Sequence, residues 1–254
     1  MQRLDRIQRP NLLGQFFAAP TVEQVAAEIA RLRGSRGAAR SIVPVSRDGI
    51  LPLSSAQERL WFVERMLRAG DPRPYNVSIV IGMRGELAPD VLARSLTELI
   101  ARHEIWRTNF RLAGKHLVQV IAPPFAVELP LALAIDGPLA GPARDDRVLQ
   151  LARAQARPAF DLANGRLVRA SLVQLAPGDH VLLLAVHHII YDAASIDILS
   201  RELCALYDAF RNGRPSPLAP LVVQYADIAH WQRQAVAPEE LERQLAYWSQ
   251  QLAG

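Results

Sequence analysis

The sequence predicts an α/β fold of the α+β sandwich kind, a mixed, partly antiparallel sheet flanked by helices. Three observations carry that reading. Helix-period and strand-period segments interleave along the chain from Leu51 onward. Two apolar β-like runs, "RLVRASLVQLA" and "DHVLLLAVHH", meet at Pro177-Gly178-Asp179, which reads as a hairpin and so as an antiparallel pair. The helical segments carry their apolar residues on one face, as helices covering a sheet do.

Taken in order, "TVEQVAAEIARLR" (21–33) is an amphipathic helix with Val22, Val25, Ile29 and Leu32 on one face, and Thr21 with Gln24 fits a capping box. Residues 34–50 hold Gly, Ser and Pro without a sustained period and read as a linker. "SSAQERLWFVERML" opens a helix with Ser55 and Glu58 placed to cap it, and "YNVSIVIGMRG" alternates as a strand. "PDVLARSLTELIARHE" is a helix with Leu92, Leu96, Leu99 and His103 on one face; "HLVQVIAPP" is a strand stopped by Pro123; "DDRVLQLARAQAR" is a helix. After the hairpin come a helix through "SIDILSRELCALYDAF", with Ile196, Leu199, Leu203, Leu206 and Phe210 on its face, and two more in "LVVQYADIAHWQRQ" and "EELERQLAYWSQQL".

Composition narrows the function. Of 254 residues, 50% are hydrophobic and 21% charged, the balance of a globular chain long enough to need no covalent staples. Cys204 is the one cysteine, which excludes an internal disulfide framework and a cysteine-rich metal site. No apolar run approaches the ~20 residues of a membrane span, and "MQRLDRIQRP" lacks the apolar core of a signal peptide, so a cytoplasmic protein that engages no membrane is expected. The net charge is +4, and Lys115 is the only lysine. The arginines alternate with acids except in "RLRGSRGAAR" (31–40), which reads as a basic solvated linker, so nucleic acid is not an expected partner.

The stretch that asks for a chemical explanation is "VLLLAVHHIIYDAAS" (181–195), an uncharged strand running into two histidines. A strand end leading into a loop fixes a side chain and leaves it reachable. Alternation sends His187 and His188 to opposite faces, so only one can serve a given cavity. An imidazole suits proton transfer from an amine or hydroxyl near neutral pH. Adjacent histidines diverge and no third ligand is spaced with them, so no metal is expected. Asp192 can turn back across the loop, and Ser195, too close to His188 for a triad, reads as a helix cap.

"HHIIYDAAS" resembles the HHxxxDG motif of condensation domains from nonribosomal peptide synthetases. Further segments resemble that family's motifs in the same order: "LPLSSAQERLWFVERM" (51–66), "RHEIWRTNF" (102–110), "FDLANGRLVRASL" (160–172) and "YADIAHWQRQ" (225–234). The resemblance implies a chloramphenicol acetyltransferase-like lobe, the N-terminal one of two, over residues 51–254. It implies an acyltransferase that joins a donor acyl or peptidyl thioester to the amine of an acceptor aminoacyl thioester. It makes His188 the catalytic histidine and His187 a structural one. Asp192 takes the place of the motif aspartate, whose role is an ion pair; Arg107 is the expected partner and Arg169 the second choice, since a buried carboxylate needs a cation. Gln57, Arg59 and Trp61 are expected to be structural, and Tyr225, Asp227 and Trp231 to serve packing and capping. No cofactor is expected to bind directly; phosphopantetheine arms arrive on donor and acceptor carrier proteins, the partners implied together with a second, C-terminal lobe.

Two features depart from the family pattern. Ala193 replaces the motif glycine, and an alanine fills space beside His188 that glycine would leave open. The chain also holds one lobe, preceded by "NLLGQFFAAPTVEQVAAEIARLR" (11–33), which resembles the end of a carrier protein; residues 1–33 are thus expected to be a carrier-like tail. The alternatives are a catalytically silent module that docks carriers and an epimerisation relative of the same fold; a heterocyclisation relative would carry aspartates in place of the histidines.

Overall fold

The computed structural model describes residues 41–68, 70–130, 141–235 and 238–253, together with Thr21 and Glu23. The helix expected over 21–33, nearly all of the carrier-like tail and the linker up to residue 40 lie outside the described residues. Residues 42–254 form one compact unit. Its elements run β1 (Leu51–Pro52), α1 (Ser55–Met66), β2 (Asn76–Arg84), α2 (Pro89–Arg102), β3 (Thr108–Ala113), β4 (His116–Ile121), α3 (Gly141–Ala156), β5 (Val168–Ala176), β6 (Asp179–His187), α4 (Ser195–Arg211), α5 (Tyr225–Ala235) and α6 (Pro238–Leu252). Short 3₁₀ turns cover Glu104–Arg107 and His188–Ile190.

The strands form two sheets, ordered β2-β6-β5 and β1-β4-β3. Every strand pair among the described residues is antiparallel. β5 and β6 form the expected hairpin, turning at Gly178, whose φ of 72° lies where a side chain is strained. β6 is the middle strand, and His180 to His187 are all buried. Leu182, Leu184 and Val186 join the core built with Leu96, Leu99 and Leu203 of α2 and α4, while Val181 and Leu183 meet Val148 and Ala152 of α3. A strand covered on both faces has no use for polar alternation, which is why its sequence is a continuous apolar run.

Two elements differ from expectation. The cap of α1 sits one residue earlier than Ser55 and Glu58: Ser54 accepts from the Gln57 amide, and Gln57 Oε1 accepts from the Ser54 amide. The Ser54 hydroxyl also lies 3.1 Å from the Tyr225 hydroxyl, a tertiary partner that Ser55 does not have. The second is β3, hidden within "RHEIWRTNF". Its pairing with β4 makes it a strand: Phe110 is fully buried while Arg111 to Ala113 face solvent.

The end of the 34–50 segment is held on this unit. Asp227, 1% exposed, accepts from the amides of Val45 and Gln224 and from Arg47, whose Nη1 lies 2.6 Å away; Arg47 also bonds Glu104. Asp227 accepts from the Gln224 amide ahead of α5, one half of a capping box, and adds the ion pair with Arg47. Burial pushes the Asp227 carboxyl up, but the Arg47 and backbone hydrogen bonds outweigh it and hold the group below the usual carboxylate range. The same pair raises Arg47 above its ordinary value.

Asp227→Asn keeps the volume and removes the charge. It is expected to lower stability by about 2 kcal/mol, at the low end for a broken pair because Arg47 stays partly solvated. A depressed carboxyl stabilises the fold above its unfolded value of about 3.9, and that contribution drains away as pH falls through the folded value. Urea unfolding of both proteins should therefore differ at pH 7 and converge toward pH 3.

Candidate functional site

The two histidines are presented by the way β6 ends. The His187 amide donates to the Leu167 carbonyl at 3.0 Å, and the His188 amide to the Tyr75 carbonyl at 2.7 Å, so the chain is gripped from both sides at the point where it leaves the sheet. The His187 ring then folds back: its Nδ1 accepts from the Ile189 amide at 3.1 Å, which starts the 3₁₀ turn. Gln57 Nε2 donates to the Ile189 carbonyl from α1. His187 is fully buried between Tyr75 and Phe160, with ring centroids at 6.4 and 6.2 Å. His188, the next residue, is exposed.

These contacts divide the chemistry between the rings. With Nδ1 accepting, neutral His187 carries its proton on Nε2, so its lone pair is spent and solvent cannot reach it. Burial lowers its affinity for a proton, opposed in part by the Glu64 carboxylate, whose Oε2 lies 3.5 Å from Nε2. His187 is therefore a buried imidazole with no lone pair open to a reactant. His188 has the accessible ring, on a backbone that its neighbour immobilises. The opposite placement of the two side chains follows the expectation, although His188 owes its exposure to the turn and not to strand alternation. It stands in the open, outside the hollows described below.

The Asp192–Arg107 ion pair is not formed. Asp192 is exposed, and its Oδ1 accepts from the Ser195 amide at 3.0 Å and from the Ser195 hydroxyl at 2.6 Å, while the Asp192 amide donates back to that hydroxyl. A carboxylate solvated by water and by the first amide of α4 has no need of an arginine. Arg107 Nη1 binds the Ala122 carbonyl across the β3–β4 pair. Arg169, the second choice, donates to the carbonyls of Pro158 and Ala159 and lies 3.8 Å above the Phe160 ring. Its role is to fasten the segment that walls His187, and desolvation lowers its proton affinity. Ala193 lies exposed in the turn before α4. Ser195, expected as the cap of α4, is instead its first residue: Ala194 holds the cap position without a side-chain bond, and the Ser195 hydroxyl pairs with Asp192 outside the helix.

Of the remaining motif residues, Gln57 is buried and braces the histidine turn, Trp61 packs half-buried on the core with Arg65 over its ring at 5.5 Å, and Arg59 is exposed. Tyr225 ties α5 to the cap of α1, and Trp231 lies half-buried on α5. Sequence reasoning missed Glu64, Arg73, Tyr75 and Phe160, the shell around His187. The signal for Glu64 was present: it follows Gln57 and Trp61 at helical spacing, a carboxylate on the core-facing stripe of α1.

Two hollows flank this shell. One of about 390 Å³ lies between α1, β3 and residues 159–163, with Glu64, Arg73 and Phe160 in its wall. The other, of about 280 Å³, is apolar, lined by Leu96, Leu99, Trp106, Leu184 and Leu199, with Arg166 and Arg169 among its polar residues.

Comparison with known proteins places this geometry in a family. The family profile described as the condensation domain matches residues 47–254. A linear gramicidin synthase of Brevibacillus parabrevis is 40% identical over 244 residues, covering 95% of this chain and 3% of that protein. Chondramide synthase cmdD of Chondromyces crocatus is 41% identical over 212 residues, 83% of this chain and 5% of that protein. Among solved structures, the X-domain from teicoplanin biosynthesis superposes with a TM-score of 0.72 at 31% identity, covering 84% of this chain and 46% of that one. The chain thus spans a small fraction of the curated relatives and about half of the solved domain.

Two measurements test the site. A double-mutant cycle of Asp192→Ala with Arg107→Ala should give a coupling near zero, whereas Asp192→Ala alone should cost about 0.5–1.5 kcal/mol through the lost hydrogen bonds to Ser195. For His187 the folded value lies below the unfolded value of about 6.5, so its contribution is intact above that pH and is lost as pH falls toward the folded value. His187→Gln should be less stable than the parent at pH 8, and the gap should narrow in melts below pH 6.

Proposed function

The chain belongs to the condensation-domain family, and we propose that it supplies the histidine-bearing lobe of an amide-forming acyltransferase of nonribosomal peptide synthesis. The observation that carries the reading is the division between the histidines: one ring locked and dry, the next accessible on a rigid turn. His188 is the residue proposed to act. The acceptor amine attacks the donor thioester carbonyl, a C–N bond forms, and the C–S bond breaks. His188 takes the proton the nitrogen loses and returns it to the departing thiolate, leaving an amide and a free thiol. Phosphopantetheine arms, carried by partner carrier proteins, bring both thioesters and are substrates here.

Asp192, with Ser195, is proposed to fix the start of α4 beside the turn; Ala193 sits in the link between them. Residues 1–33 are proposed to be a carrier-like tail, with residues 34–50 leading into the lobe. Malpibaldin synthetase of Mortierella alpina, 38% identical, aligns with all of this chain, tail included, which supports that order. Among the described residues no helix is long and apolar enough to cross a membrane; a cytoplasmic enzyme is proposed. An accessible His188 favours catalysis over a silent docking role.

One histidine acting as general base contributes roughly 10²–10⁴-fold. Holding two tethered reactants in attacking geometry contributes an effective molarity of up to ~10⁵–10⁸ M and needs walls on both sides of them. Amide formation from loaded donor and acceptor carriers should therefore be slow with this chain alone and rise when a complementary second lobe is added. In that mixture His188→Ala should cost roughly 10²–10⁴-fold. An unchanged rate would overturn the assignment of His188.

A further inference from the structure

We propose that Glu64 is a positioning residue for the histidine turn, holding His188 in place by two routes. The first runs through the neighbouring ring. Glu64 Oε2 and His187 Nε2 lie 3.5 Å apart, too far for a closed hydrogen bond, and both atoms are buried with no hydrogen-bond partner. Because His187 Nδ1 already accepts from Ile189, the proton of the neutral ring is on Nε2, the nitrogen nearest the carboxylate, and the attraction between them holds the ring between α1 and the turn. The second route runs through the backbone. The other carboxylate oxygen accepts from Arg73 Nη1 at 3.0 Å, and the two side chains are only 9% and 15% exposed. Arg73 opens the short turn to Asn76, and the Tyr75 carbonyl within that turn receives the His188 amide at 2.7 Å. One carboxylate thus fastens the ring before His188 and the segment that carries the acceptor of its amide.

Charge explains why this position suits a carboxylate. Arg73 balances Glu64, and His187 stays neutral, so the cluster encloses one ion pair and one dipole. Leucine here would leave the Arg73 charge and the His187 N–H unanswered in a dry site. Glutamine keeps an acceptor for the N–H and loses only the charge.

This inference rests on the reading of His188 as the working imidazole, but its test involves no acyl transfer. Imidazole ¹⁵N–¹H spectra of the chain should show His187 as the neutral Nε2–H form. In Glu64→Gln that form should persist with its Nε2 proton shifted, because the acceptor is no longer charged. In Glu64→Leu the Nε2 proton should exchange with water roughly tenfold faster or more, and the ring and amide signals of His188 should move. A wild-type His187 protonated on Nδ1, an Nε2 proton unmoved in Glu64→Gln, or His188 signals unmoved in a folded Glu64→Leu would each overturn the proposal. If Glu64→Leu does not fold, the Glu64→Gln shift decides. Should these spectra come out as expected while the two-lobe mixture makes no amide, only the functional reading falls.

Discussion

A fully buried imidazole must be held by the groups around it, and in this lobe His187 is held by the Ile189 amide at Nδ1 and by the nearby Glu64 carboxylate at Nε2. His187 has no exposed surface, so no water can serve it. Its Nδ1 is satisfied by the Ile189 amide, which ends β6 and starts a 3₁₀ turn; its Nε2 lies 3.5 Å from Glu64 of α1. Had His187 stayed neutral in the other tautomer, Nδ1 would carry a proton against the Ile189 amide and the turn would lose its closing bond. The buried ring is thus what forces the chain to present the next residue, His188, to the outside.

The same economy recurs where the lobe is tied together over long sequence distances. Asp227 accepts four hydrogen bonds, from Val45, Gln224 and the two Arg47 nitrogens, which joins residues 45–47 to α5. Glu202 on α4 accepts from Arg102 and sits 2.7 Å from His103, which fixes the end of α2. Each is a carboxylate with almost no exposed surface, and each is fully provided with donors or cations. Their placement sets the mutual positions of the helices over β6, and with them the apolar hollow beside Leu184.

Residues that look catalytic by pattern are, in three dimensions, mostly bound to the local backbone. Asp192 binds Ser195 at the start of α4, Arg107 braces the ends of two strands, and Arg169 fastens the Phe160 segment. The accessible imidazole of His188 is the one proposed for proton transfer, and this chain covers about half of the solved relative. The reacting groups would then lie against His188 on one side and against residues outside this lobe on the other.

Much of this was legible in the sequence. The hairpin at Gly178, the amphipathic helices and the apolar run of β6 follow from local periodicity and turn chemistry, which depend on neighbours in sequence. Strand alternation suggested that His187 and His188 diverge, but the 3₁₀ turn that exposes His188 was not legible, because it depends on the His187 ring folding back onto the Ile189 amide. What only the tertiary structure decided were the partners. Ser54 caps α1 in place of Ser55 because Tyr225 comes to meet it. Asp192 needs no arginine because it lies at the surface, where water and a helix amide solvate it. Glu64 belongs to His187 because packing brings together residues more than a hundred positions apart. Periodicity says which face a side chain takes; the charge or hydrogen bond it meets there depends on distances that exist only once the chain has folded.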